Sequence, residues 1–235
     1  MWAGPRNIST TMLRSFENRP DTAVFDEPLY AAYLAASGAA HPYRAETLAE
    51  YPTTFSKAID WIEDAPPPGA DIVFCKHIAF HYPQDGDLTW LLKQRNFLLI
   101  RDPRAMVASY VKKFDDVAPI IDSYRLAVRI RAFLADAGLA CPVIDAEDVL
   151  RDPAAMMRRL CAALDIPFSE TMLGWPAGPR KSDGPWAPHW YDAVEASTGF
   201  NPYTPRQFDL PPDLAAAADA CAGDYAALRA VRLTP

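Results

Sequence analysis

The chain has 235 residues, with 23 Lys and Arg against 30 Asp and Glu, a formal net charge of −7. That length suits one α/β domain with a sizeable core, and a hydrophobic share of 50% excludes a chain that is mainly disordered. The acidic balance argues against a general nucleic-acid binder, which needs a broad positive field; an anionic small ligand needs only a few local cations.

Met1–Ala3 reads as a very short first strand, followed by the turn Gly4-Pro-Arg-Asn-Ile-Ser-Thr-Thr11 and a helix over Ser9–Asn18 with Met12, Leu13 and Phe16 on one face. Thr22–Phe25 is a second strand. The stretch from Leu29 to Gly69, rich in Ala, Tyr and Pro, reads as an insertion, ending in the turn Pro66-Pro-Pro-Gly69. Asp71–Lys76 and Asn96–Ile100 are short apolar runs of the kind buried in parallel sheets. Asp102-Pro103 is an N-cap and first-turn pair opening a helix that turns Met106, Val107, Tyr110 and Val111 inward. Ile120–Leu139 is a long amphipathic helix and Pro142–Asp145 a further strand. Asp152-Pro153 repeats the cap signal ahead of Met156, Met157, Leu160 and Leu164, and Pro212–Leu228 is the last helix. Strands alternating with helices predict an α/β fold with a mainly parallel sheet, whose ligands sit beyond the carboxyl ends of the strands.

Cys75, Cys141, Cys161 and Cys221 are too widely spaced for a metal site and read as small buried thiols in a reducing compartment. No apolar stretch approaches the ~18 residues that span a bilayer, and the first residues lack the apolar run of a secretory leader. A cytoplasmic location with no membrane and no nucleic-acid partner is expected; the sequence carries no signal for oligomeric state.

Three turns carry chemistry. The turn from Gly4 to Thr11 lies between a strand and a helix, where backbone N–H groups and the positive helix end make an anion site; Ser9, Thr10 and Thr11 add hydroxyls and Arg6 a guanidinium. The glycine, lysine and magnesium ligand of the GxxxxGK[ST] loop are missing. Arg101 leaves the end of a buried strand, and Ser109 follows about 9 Å along the next helix, at roughly 1.5 Å per residue. The third turn, Gly178-Pro-Arg-Lys-Ser-Asp-Gly-Pro-Trp186, sets Arg180 and Lys181 among Gly and Pro. Singly, each turn is as readily a helix cap, a surface arginine or a solvated loop.

In this order and context the three turns resemble those of the sulfotransferases that use 3′-phosphoadenosine 5′-phosphosulfate (PAPS). Pro5-Arg-Asn-Ile-Ser-Thr10 is similar to the family's 5′-phosphosulfate loop, Arg101 with Ser109 to its 3′-phosphate pair, Arg180-Lys181 to its late Arg-Lys-Gly segment, and Glu147-Asp-Val-Leu-Arg-Asp-Pro153 to its E-D-L-x-x-D-P stretch. Asn7, Ile8 and Ser182 depart from the pattern, and Ile8 stands where the family has Gly, a position strained for a β-branched residue if φ is positive.

The resemblance implies a single domain over residues 1–235 with a P-loop-NTPase-like three-layer α/β/α fold of about five strands, an acceptor-side insertion at 29–69 and a nucleotide-covering loop at 174–205. It implies sulfuryl transfer from PAPS to a hydroxyl or amine of a small-molecule acceptor, without a metal, leaving adenosine 3′,5′-bisphosphate. Donor contacts fall on Arg6, Asn7, Ile8, Ser9, Thr10, Thr11, Arg101, Ser109, Arg180 and Lys181. Glu27, in Phe25-Asp-Glu-Pro-Leu-Tyr30, is the preferred base, with His77 and Lys76 lining the reacting centre and Lys76 neutralising the bridging oxygen; His77 and His81 are the other candidate bases. Two alternatives stay open: a small-molecule kinase, and a nucleotide-binding protein of the same fold that has lost turnover.

Overall fold

The computed structural model describes residues 1–64 and 67–235; Pro66, the first residue of the expected Pro66–Gly69 turn, lies outside the described residues. Each short apolar run becomes a strand: β1 (Trp2–Ala3), β2 (Thr22–Asp26), β3 (Ile72–Ile78), β4 (Leu98–Ile100) and β5 (Val143–Asp145). The helices are α1 (Ser9–Glu17), α2 (Tyr30–Ser37), α3 (Arg44–Glu50), α4 (Phe55–Glu63), α5 (Pro103–Tyr110), α6 (Ala118–Asp136), α7 (Ala146–Arg151), α8 (Pro153–Ala163), α9 (Ala187–Trp190), α10 (Asp192–Glu195), α11 (Pro212–Ala220) and α12 (Ala222–Ala230).

Both expected caps form. The Asp102 carboxylate accepts from Arg104 N at 2.7 Å at the start of α5, and Asp152 accepts from Ala155 N at 3.0 Å at the start of α8. Two expectations change. The insertion is helical, with α2, α3 and α4 where only an aromatic, Pro-rich stretch was legible. The last helix divides at Cys221, which closes α11 and precedes α12.

The chain folds as two compact units, one of residues 1–9, 78–168 and 201–235, the other of residues 10–77 and 169–200. In the first unit β4 runs between β1 and β5, parallel to both, with Trp2 opposite Leu98 and Ile100 opposite Asp145. Leu98, Leu99, Ile100, Val143 and Ile144 are buried, as a strand covered on both faces requires, and α6 adds Ile120, Leu126, Ile130 and Leu134. The Trp2 ring meets Tyr82 and Trp90 edge-on, and its Nε1 donates to Asn96 Oδ1 at 3.2 Å.

In the second unit β2 and β3 pair in parallel from Thr22–Ile72 to Asp26–Lys76. Phe16 of α1 stacks on Phe74 of β3 at 4.1 Å between centroids. Tyr30, Leu34, Trp186, Ala187 and Tyr191 form a second apolar cluster, with Tyr33, Tyr51 and Trp190 against it. The insertion's aromatics therefore pack on one another and on Trp186; Tyr43 is the exposed exception at 40%.

Candidate functional site

Arg6, Glu27 and Arg101 each follow the end of a strand, Lys76 and His77 lie within β3, and Arg180 and Lys181 sit in a loop. In the first unit, β1 stops after two residues and the chain turns sharply. Arg6 has φ 60° and Ile8 φ 43°, both in the left-handed region, so the β-branched Ile8 holds the conformation that favours glycine, at a cost of roughly 1–2 kcal/mol. Three side chains hold the turn in that shape. Asn7 Nδ2 donates to the Leu99 carbonyl of β4 at 2.5 Å. Arg101 Nη1 donates to the Arg6 carbonyl at 2.6 Å, and Tyr124 donates its hydroxyl to the Arg101 carbonyl. Arg6 in turn reaches Ser109 of α5, its Nε donating to Oγ at 3.1 Å.

Arg6, Arg101 and Ser109, which are 95 and eight residues apart along the chain, thus meet at one turn. Positive charge gathers there, with acidic groups offsetting part of it. Burial pushes the Arg101 guanidinium below its ordinary value; Arg6 and Arg206 push it the same way, and Asp102 and Asp145 oppose them only in part. Arg206 was not legible as a site residue, because Tyr203-Thr-Pro-Arg206 carries no spacing signal. Left-handed backbone around N–H groups with guanidinium groups beside it is a fitting cradle for phosphate. Ser9 is buried and opens α1; Thr10 and Thr11 follow in its first turn.

In the second unit, β2 ends at Asp26 and Glu27 leaves it with φ 47°, immediately before Pro28. The parallel register sets Asp26 beside Lys76. Lys76 Nζ donates to Asp26 Oδ1 at 2.7 Å, Glu27 Oε1 at 2.8 Å and the Tyr191 hydroxyl at 2.7 Å. Tyr191 donates to Asp26 Oδ2 at 2.6 Å and also accepts from Trp186 Nε1 at 3.2 Å. Two carboxylates and one ammonium, all largely removed from water, leave a formal charge of −1. Burial pushes the Glu27 carboxyl up, Lys76 pulls it down and Asp26 pushes it up, so it ends raised. For Lys76, burial acts downward but Asp26 and Glu27 outweigh it, and the ammonium is held well above its ordinary value.

The three donors of Lys76 are engaged within this cluster, which leaves none for a bridging oxygen and makes Lys76 a partner of Glu27. His77 is the next residue of β3 and points to the opposite face. His77 and His81 are both buried, the latter edge-on to Phe80. Asp26 and Tyr191 were missed. The adjacency of Asp26 to Glu27 was a usable signal; Tyr191 offered none.

The third turn is tied to α1 within the same unit. Buried Arg14 pairs with Asp183 at 2.7 Å and with Glu17 at 3.2 Å, and Ser182 donates to Glu17. Ser182 thus has a partner that a glycine would lack. Arg180 takes Asp183 at its backbone N, at 2.7 Å, and directs its guanidinium to the Pro176, Gly178 and Pro179 carbonyls; Lys181 is exposed.

Among the described residues no helix is long and apolar enough to cross a membrane. Two Arabidopsis thaliana proteins, branched-chain-amino-acid aminotransferase-like proteins 2 and 1, are 38% identical to the chain over 200 and 216 residues. These matches cover 85% and 89% of this chain but only 35% and 38% of the relatives, so the chain spans little more than a third of their length. Among solved structures, a sulfotransferase from Alicyclobacillus acidocaldarius matches with a TM-score of 0.55 at 17% identity, covering 100% of this chain and 96% of that one. The sulfotransferase domain from the curacin biosynthetic pathway matches with a TM-score of 0.51 at 13% identity, over 100% and 97%. These likenesses place the fold in the expected α/β class with parallel strands. Residues 1–228 match the sulfotransferase domain family, and the chain belongs to that family.

Proposed function

We propose that the chain transfers a sulfuryl group from PAPS to a hydroxyl or amine of a small-molecule acceptor, with Glu27 as the base. The observation that carries this reading is the gathering of Arg6, Arg101 and Ser109 around a left-handed turn, with Arg206 adding charge. In this reading Arg101, Ser109 and Arg6 hold the phosphates, with Ser9, Thr10 and Thr11 adding hydroxyl and helix-end donors. Lys181 adds an exposed charge, while Arg180 braces its own loop.

Sulfuryl transfer moves a singly charged unit, so fixed guanidinium and N–H donors suffice to steady the departing bisphosphate without a metal. Glu27 takes the acceptor proton as the new S–O or S–N bond forms and the bridging S–O bond breaks, its electron pair leaving with adenosine 3′,5′-bisphosphate. A raised carboxyl in a buried setting suits that task.

The test is Glu27→Gln, assayed by transfer from ³⁵S-labelled PAPS to a panel of alcohols, phenols and amines. Turnover falls on the order of 10²- to 10⁴-fold while affinity for adenosine 3′,5′-bisphosphate is retained. Wild-type turnover in the variant refutes the base assignment, and failure of the parent protein to bind the bisphosphate refutes the donor. A nucleotide-binding protein without turnover is the second reading, prompted by Ile8; it predicts bisphosphate binding with no transfer to any acceptor of the panel.

A further inference from the structure

We propose that Asp26 is a positioning residue for Glu27, acting through the Lys76 ammonium, with Tyr191 holding the second oxygen of Asp26. This inference rests on the reading of Glu27 as the base. Its ground is geometric. The β2–β3 register places Asp26 directly beside Lys76, and the ammonium bridges the two carboxylates at 2.7 and 2.8 Å. Tyr191 closes the far side by donating to Asp26 and accepting from Lys76. Asp26 is fully buried at its side chain and Lys76 is 1% exposed, so neither serves solubility or a surface ion pair.

The arrangement divides one positive charge between two negative ones. Asp26 repels the charged form of Glu27 and at the same time draws the ammonium toward itself; both actions favour proton uptake by Glu27. Lys76 acts in the opposite sense, favouring the charged carboxylate. The two partners therefore bracket the base, one on each side of its working range. Tyr191 stays a phenol, since burial and then Asp26 push its hydroxyl well above its ordinary value. It contributes a hydrogen bond and no charge. The other ionisable neighbours lie one step out: Tyr51, which burial, Glu50, Asp26 and Asp183 hold up at about 12, and Arg14, which senses Tyr191.

The test reads Glu27 directly. Protein labelled with ¹³C at the glutamate carboxyl carbons is titrated by NMR, and the Glu27 resonance is assigned by its absence in Glu27→Gln. Asp26→Asn lowers the Glu27 midpoint by about one unit and Lys76→Met raises it by about one unit. A merely structural role would admit water in both variants and move both midpoints down. If Lys76→Met does not fold, the double variant Asp26→Asn/Lys76→Met replaces it, and its midpoint lies above that of Asp26→Asn alone. An unmoved or raised midpoint in Asp26→Asn overturns the positioning role while leaving Glu27 as the base. Wild-type turnover in Glu27→Gln removes the base reading, and this inference with it, whatever the titrations show.

Discussion

Replacing Arg101 by Ala separates the binding role of that side chain from its structural one. On the structural side the variant loses one hydrogen bond, Nη1 to the Arg6 carbonyl at 2.6 Å, worth about 1 kcal/mol net. Against this, the native protein carries a half-buried guanidinium beside Arg6 and Arg206, and its charged form is disfavoured there. Removing it relieves that repulsion, so the ligand-free variant stays within about 1 kcal/mol of the parent in stability. On the binding side a phosphate dianion loses a planar, charge-assisted partner, which costs roughly 2–4 kcal/mol, or about 30- to 900-fold in affinity. The assay is isothermal titration with adenosine 3′,5′-bisphosphate at fixed salt, paired with thermal melts with and without ligand. Arg101→Lys falls between, because it keeps the charge without the fork. Wild-type affinity in Arg101→Ala, or equal losses of stability and affinity, refutes the assignment of Arg101 to the donor.

Three further outcomes follow from the second unit. Glu27 is raised in the folded chain, so between the ordinary carboxylate value and the raised one the native state binds more protons than the unfolded state. Glu27 therefore contributes a fall in stability as pH rises through that window; in Glu27→Gln that contribution disappears, leaving the one from Asp145, and the melting temperature at neutral pH exceeds the parent's, as calorimetry across pH will read. Arg14→Met leaves buried Asp183 without a counter-charge and costs about 3–5 kcal/mol in urea unfolding, part of which the double variant with Asp183→Asn restores. Gly184→Ala drives a methyl to 2.3 Å from the Trp186 ring, and the overpacking costs roughly 1–3 kcal/mol in the same assay.

β2, β4 and β5 were legible because each is a short apolar run closing on polar residues, whereas β3 runs on past the expected end at Lys76 to Ile78; the Asp102 and Asp152 caps were legible because Asp-Pro has one strong use at a helix start. Arg6, Arg101 and Ser109 could be named from spacing and resemblance, since strand ends and a helix rise fix where they fall. What stayed hidden depends on pairings that no local signal encodes. The β2–β3 register makes Asp26 the neighbour of Lys76, and Tyr191 and Arg206 arrive from segments without any periodic pattern. The helices of the insertion were masked by its aromatics and prolines, which read as loop until Tyr30 and Trp186 provide a surface to pack on. Lys76 shows the limit of reading roles from type: a lysine at a strand end suggests a free cation, and its carboxylate neighbours make it a bound one.

The Ile8 turn is a bend that needs no glycine at its apex. Its shape is imposed from outside by an amide on Leu99, a guanidinium on Arg6 and a phenol on Arg101. A β-branched residue can therefore stand at the bend, its strain offset by bonds made elsewhere. The bend is thus written into β4, the Arg101 that follows it and α6, which supply the bracing groups, more than into the residue at its apex.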